Sequence, residues 1–215
     1  MAFDEKFVDY IINNYPEKKD MVAFDIGANV GKYTGMIAKK FRKVYAFEVC
    51  KETCEMLKEN IDKHEVKNAE IINMGVCDVD DDQVKMYKQH NDPRGRGGNT
   101  LSYFVAEQKK WGHDPNRFDI VKGITLDTFV KAHHIKKLRF IKMDIEGGEN
   151  FAWRGASETL KNFKLDIILE VHNAVNYNQL YKLFKDHGYE IFNTNGSRAK
   201  TFEPDTHYMV TNRHN

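Results

Sequence analysis

The sequence predicts an α/β protein: a seven-stranded, mostly parallel sheet wrapped by helices and finished by an antiparallel hairpin. Three observations carry this. Short apolar runs such as "MVAFDI", "FIKM" and "DIILEV" alternate with amphipathic stretches, the pattern of parallel strands joined by helical crossovers. A glycine-bearing turn, "DIGANVGKYT", directly follows the first run. Two β-rich runs, "YEIFNTN" and "HYMVTN", close the chain around a turn-rich linker containing Asn195-Gly196 and Pro204. With 215 residues, 41% apolar and 12% aromatic, the chain is expected to form one domain over residues 1–215 with a true core.

Within residues 1–20, a leading helix is expected over Asp4 to Asn14, where Phe7, Val8, Ile11 and Ile12 share a face and Pro16 ends it. Strand one is Met21 to Ile26, followed by a helix from Gly31 to Phe41. Strand two is Lys43 to Phe47, the next helix Glu52 to Lys63, and strand three Ala69 to Met74. Residues 75–123 break the rhythm and read as an insertion that shapes the acceptor side of the site. In it "VKMYKQH" and "NTLSYF" are expected strands around the loop "NDPRGRGGN", followed by a short helix over Ala106 to Trp111 and an extended "FDIVKGI". The rhythm returns with "TLDTFVKAHHI" as a helix capped by Thr125 or Asp127. "LRFIKMDIE" is strand four, "ENFAWRGASETLKNF" a helix, "LDIILEVH" strand five, and "YNQLYKLFKDHG" a helix closed by Gly188.

Charge narrows the function. Thirty-three basic residues face 32 acidic ones, a net charge of +1, so no global basicity recruits nucleic acid or an anionic membrane. No segment offers the ~20 apolar residues that span a bilayer. The first residues carry acids early and no long apolar run, so neither a secretory signal nor a lipid anchor is expected. Cys50, Cys54 and Cys77 lack metal-ligand spacing and read as free buried thiols, which fits a reducing cytoplasm.

The glycine turn discriminates among nucleotide ligands. A dinucleotide fingerprint counted from Gly27 needs glycine where Asn29 and Lys32 stand; a phosphate-binding P-loop needs four residues between its glycines, and Gly27 and Gly31 enclose three. S-adenosylmethionine has no pyrophosphate and needs neither. Its carboxylate suits the start of the helix after the turn, and Asp25 is placed to take its ammonium. Glu48 ends strand two about twenty residues later, where a carboxylate accepts both ribose hydroxyls. Asp78, after strand three in "GVCD", is placed to accept from the adenine amine. Each acid alone reads equally as a cap or a solvated side chain, but one adenosyl ligand explains all three. Gly27, Asn29, Gly31, Tyr33 and Thr34 of the turn, with Asp144, complete the expected cofactor set.

With these residues assembled, "DIGANVGKYT", "YAFEV", "NMGVCD", "ITLDTF", "IKMDIEGGE" and "LEVHN" run in order over about residues 22–173, and the sequence resembles the FkbM family of S-adenosylmethionine-dependent methyltransferases. The resemblance implies a Rossmann-like class I methyltransferase fold and O-methylation of a sugar, glycan or small metabolite. It departs at Val49, where the family usually has Pro, and in "GVCD", where "AVSD" is common.

Methyl transfer to a hydroxyl needs alignment and proton removal. Asp144 and Glu146, leaving strand four, and Glu170, His172 and Asn173, leaving strand five, are the candidates. Their plain alternatives are a helix cap for Asp144, a first-turn acid for Glu146 and an ordinary strand-end histidine for His172. The expectation is that neutral His172 acts as general base, oriented by Glu170 or Glu146. Asp144, Glu170, His172 and Asn173 also form a donor set able to hold Mg²⁺ or another divalent ion. Arg94 and Arg96 read either as a clamp on an anionic acceptor or as part of a solvated loop, and Tyr103, Phe104 and Trp111 as its apolar wall, with core packing the reading for at least one of the three. Two other functions compete: RNA ribose methylation, disfavoured by the charge balance, and a binding module without catalysis. Oligomeric state is not readable.

Overall fold

The computed structural model describes residues 3–89, 100, 101, 113–172 and 177–212. Helix α1 (Phe3–Asn14) leads into β1 (Lys18–Ile26), α2 (Lys32–Ala38), β2 (Phe41–Phe47), α3 (Lys51–Lys63) and β3 (Ala69–Ile72). Then come β4 (Gly75–Val76), β5 (Asp81–Gln89), β6 (His113–Ile124) and α4 (Leu126–Ala132). The remainder is β7 (Leu138–Met143), α5 (Glu149–Arg154), α6 (Ser157–Asn162), β8 (Asp166–Val171), α7 (Tyr177–Asp186), β9 (Glu190–Asn193) and β10 (Thr206–Thr211).

Among the described residues, seven strands form one sheet in the order β3-β2-β1-β7-β8-β10-β9. β1, β2, β3, β7 and β8 pair in parallel. The expected terminal hairpin is present, but β10 alone runs against the sheet, antiparallel to both β8 and β9. β4, β6 and β5 form a separate three-stranded sheet within the 75–123 region.

Alternation along β1 sorts the core into two layers. Ala23 packs with Val8, Ile12, Ile37 and Phe140 under α1 and α2. Phe24 and Ile26 point the other way, into a larger cluster with Phe129, Trp153, Leu160 and Phe184 from α4 to α7. Each large apolar side chain buried this completely contributes roughly 1.5–3 kcal/mol.

Several element limits differ from expectation, each for a local reason. The helix expected to reach Phe41 stops at Ala38, because Phe41 pairs with Lys18 as the start of β2 and packs under the sheet. The long helix expected from Glu149 to Phe163 is two short ones, broken at Gly155. A Cβ there would stand 2.3 Å from the Cys77 carbonyl oxygen, so the backbones touch and the chain must bend around the contact. Thr125 caps α4 by accepting from the Thr128 N–H at 3.1 Å. Asp127 instead accepts from the Glu158 and Thr159 N–H groups, at 3.0 and 2.7 Å, and so serves the start of α6. The expected helix over Ala106 to Trp111, most of "NTLSYF", and the loop "NDPRGRGGN" lie outside the described residues.

Candidate active site

The carboxyl ends of β1, β2 and β7 open onto a cleft with about 680 Å³ of empty space continuous with solvent. Gly27, Asn29, Glu48, Asp144 and Glu146 line it with polar groups. Ile26, Phe47, Met74, Val76 and Leu101 supply apolar wall. This is the crevice position where open α/β sheets bind ligands.

The turn after β1 is tied to the neighbouring strand end. The Gly27 and Ala28 N–H groups donate to the Phe47 carbonyl at 3.0 and 2.9 Å. Gly27 has φ +75°, and a Cβ there would sit 1.8 Å from the Asp144 carbonyl oxygen. The two strand ends meet at a spacing that only glycine permits. Asn29, also left-handed at φ 49°, donates its N–H to Glu48 Oε2 at 3.0 Å, and the Cys50 N–H donates to Glu48 Oε1 at 2.9 Å. Each carboxylate oxygen thus keeps acceptor capacity for a ligand hydroxyl. Burial raises the Glu48 carboxyl above its usual range, although both N–H groups pull the other way.

Other expected cofactor residues stand behind this surface. Asp25 is fully buried and outside the cleft lining; its Oδ2 accepts from Thr34 Oγ1 at 2.6 Å, and Lys142 Nζ lies 3.9 Å from Oδ1. Burial raises its carboxyl, opposed by Lys142 and Thr34. Direct contact with a ligand ammonium is therefore not the geometry here; Asp25 anchors Thr34 and Lys142 instead. Gly31 precedes α2 and the Tyr33 ring lies 5.4 Å from Lys142 Nζ, neither lining the cleft. Asp78 is also outside the lining, in an ion pair with Arg154. Arg154, the last residue of α5, supplies that partner.

A second group of charges stands where β7 and β8 end. Buried Lys142 donates to the Gly27 carbonyl at 3.1 Å and to Asp144 Oδ2 at 3.3 Å, linking the glycine turn to this group. His172 Nε2 faces Asp144, Glu146 and Glu170 at 3.7, 3.5 and 3.5 Å. Its Nδ1 lies 3.0 Å from Glu149 Oε1. Glu170 in turn meets His207 Nε2 at 3.1 Å, across the β8–β10 pairing.

These contacts set the charge states. Burial acts to lower the His172 pKa, but the bond to Glu149 and the surrounding carboxylates outweigh it and raise it to about 10. With Glu149 on Nδ1 and three carboxylates around Nε2, these surroundings favour the protonated ring over the neutral base expected from the sequence, and His172 does not line the cleft. Its orienting partner at Nδ1 is Glu149, while Glu146 and Glu170 sit at Nε2. Burial, offset by His172, raises Glu146 to about 7. Burial also acts to raise Asp144, but Lys142 and His172 prevail and hold it below the usual carboxylate range.

One ligand atom each from Asp144, Glu170 and His172 lies within 4.8 Å of the others, the spacing of a metal site. A divalent ion on these three atoms would take the place of the proton on His172 Nε2, so its binding would depend on pH. Asn173, Arg94, Arg96, Tyr103, Phe104 and Trp111 lie outside the described residues. Sequence reasoning passed over Lys142, Glu149 and His207. Lys142 and Glu149 both lie within the quoted stretch "IKMDIEGGE", Lys142 two positions before Asp144, without a role having been read from either.

The sequence profile of the Methyltransferase FkbM domain matches residues 25–191. No curated protein matches the chain. Among solved structures, the methyltransferase FkbM of Methylobacillus flagellatus KT superposes with a TM-score of 0.58 at 16% identity, over 92% of this chain and 45% of that one. The chain thus spans about half the length of that relative. The precorrin-6y C5,15-methyltransferase of Geobacter metallireducens GS-15 gives a TM-score of 0.51 at 10% identity, over 98% and 88% of the two chains. A precorrin 8w decarboxylase of Methanobacterium thermoautotrophicum gives 0.50 at 13% identity, over 98% and 89%. At these identities the three show the shared Rossmann-like fold of class I methyltransferases. The domain match covers most of the sequence, and the protein belongs to the FkbM methyltransferase family.

Proposed function

We propose that this chain transfers the methyl group of S-adenosylmethionine to a hydroxyl of a sugar, glycan or small metabolite. The observation that carries this reading is the single cleft in which Glu48, held by two backbone N–H groups, faces Asp144 and Glu146. The cleft fits an adenosyl donor. Glu48 has acceptor sites left for ribose hydroxyls, and Gly27 leaves open a space that a Cβ would fill. When bound, S-adenosylmethionine supplies an electrophilic methyl group on a sulfonium.

The chain's own residues do the rest. Glu146 lines the cleft and is two-fifths exposed, with a carboxyl near neutrality, so it is the group that takes the acceptor's proton. His172 stands behind it as a fixed positive charge, and Asp144 stays ionised to face the sulfonium end. Leu101, Gly75 and Val76 bring the 75–123 region to the cleft, which supports an acceptor-shaping role for it. Arg94 and Arg96 of that region are the groups proposed to engage an anionic acceptor. Among the described residues no helix is long and apolar enough to cross a membrane, which suits an acceptor met in water.

Calorimetry with S-adenosylhomocysteine tests the donor, and methyl incorporation into fractionated glycans, metabolites and RNA tests the acceptor. Binding with labelled glycan or metabolite is the expected result. Labelled RNA alone would replace the acceptor class. Binding without any incorporation would favour a non-catalytic module, and absent binding would overturn the reading.

A further inference from the structure

Glu149 is the first residue of α5, fully buried, and absent from the cleft lining. Its Oε1 takes two donors, the Gly147 N–H at 3.2 Å and His172 Nδ1 at 3.0 Å. Its Oε2 is buried with no hydrogen-bond partner among the described residues. A buried carboxyl group with one unsatisfied oxygen costs free energy, which the two contacts on its other oxygen have to offset. Among the described residues its one charged contact is the ring of His172.

We propose that Glu149 is a positioning residue that fixes the ring of His172, so that Nε2 meets Asp144, Glu146 and Glu170 together. A carboxylate on Nδ1 selects the ring flip and stabilises the doubly protonated ring. The same oxygen holds the Gly147 N–H, so the Glu146–Gly148 turn and the ring are pinned from one point. Glu146, left-handed at φ 55°, then has its side chain directed at Nε2. The groups facing the ring are Asp144 after β7, Glu146 in the turn, Glu149 on α5 and Glu170 on β8. Lys142 backs Asp144, and His207 of β10 backs Glu170. The raised pKa of His172 agrees with this arrangement. For catalysis, the proposal rests on Glu146 being the proton acceptor for methyl transfer; the ring geometry stands without it.

The test is ¹⁵N NMR of the histidine rings in the full chain, with His172 assigned by the signals lost in His172→Gln. In the wild type, His172 should stay doubly protonated through neutral pH. In Glu149→Gln, which keeps the shape and loses the charge, its midpoint should fall by about one pH unit or more. The rising limb of the rate should move to lower pH, since His172 stays protonated near pH 7 while Glu146 loses the repulsion of the Glu149 charge. Dissociation of S-adenosylhomocysteine should change less than about threefold, the scale of an uninvolved site. Glu149→Asp should restore part of the His172 shift. A wild-type ring titrating in its ordinary range, or an unchanged midpoint in Glu149→Gln, would overturn the proposal. Should Glu149→Gln not fold, the wild-type titration and Glu149→Asp still decide. These spectra need neither donor nor acceptor, so failure of methyl transfer would sink the functional reading and leave this one standing.

Discussion

Glu48 and Glu149 are two carboxylates held in opposite ways within one active-site region. Glu48 is gripped by backbone N–H groups from the turns after β1 and β2, with no side-chain cation bonded to it among the described residues. Glu149 belongs to a knot of side chains drawn from β7, α5, β8 and β10, whose charges set one another. A backbone grip is fixed by the fold and presents a constant charge. A side-chain knot can be tuned, and its state follows pH. The first arrangement suits a ligand that is always the same; the second suits a proton that must move.

The contrast can be broken at graded cost. Glu146→Gln removes the proposed proton acceptor and should lower kcat by about 10²- to 10⁴-fold with S-adenosylhomocysteine binding retained; turnover near wild type would move proton removal elsewhere. Gly27→Ala forces a Cβ into the Asp144 carbonyl and should weaken donor binding by about 10²-fold through misplaced strand ends, read by calorimetry. Glu48→Gln should cost about 10- to 100-fold in the donor dissociation constant, the worth of a charged hydrogen bond, with little change in kcat.

The knot should also show in stability. His172 is raised from 6.5 to about 10, so its contribution is full below pH 6.5 and is lost as pH climbs through 10. Glu146, raised from 4.5 to about 7, has the same sign at lower pH: stability falls as its buried carboxyl ionises. The melting temperature should therefore drop between pH 7 and 10, by roughly 2–4 °C for each kcal/mol lost. The drop should flatten in His172→Gln. The smallest effect belongs to Arg154→Ala, which breaks the half-exposed pair with Asp78. It should cost at most about 1 kcal/mol in denaturant titrations and leave donor binding unchanged. A large loss of binding would return Asp78 to the cleft.

The parts of this architecture legible in the sequence were those written locally. "MVAFDIG" shows a buried strand meeting a turn, and the β1–α2–β2 order follows from period and glycine placement. Gly27, Asn29 and Glu48 stand where that reading puts them, on the cleft wall. The break at Gly155 was not legible, because it depends on Cys77, far away in sequence. Nor was the partner of Asp78, since only the packing of α5 brings Arg154 to it. The protonation of His172 was hidden for the same reason: the buried Glu149 that contributes most to it lies 23 positions away. Two-residue β4 is too short to leave a periodic signal.

The reversed course of β10 has a consequence for synthesis. Because this strand begins where the parallel strands finish, His207 reaches Glu170 from a strand synthesised after β1 to β9. A nascent chain that has already formed β1, β2 and β7 around the cleft still lacks the brace on Glu170, so the cleft should take shape before the charges behind it are complete.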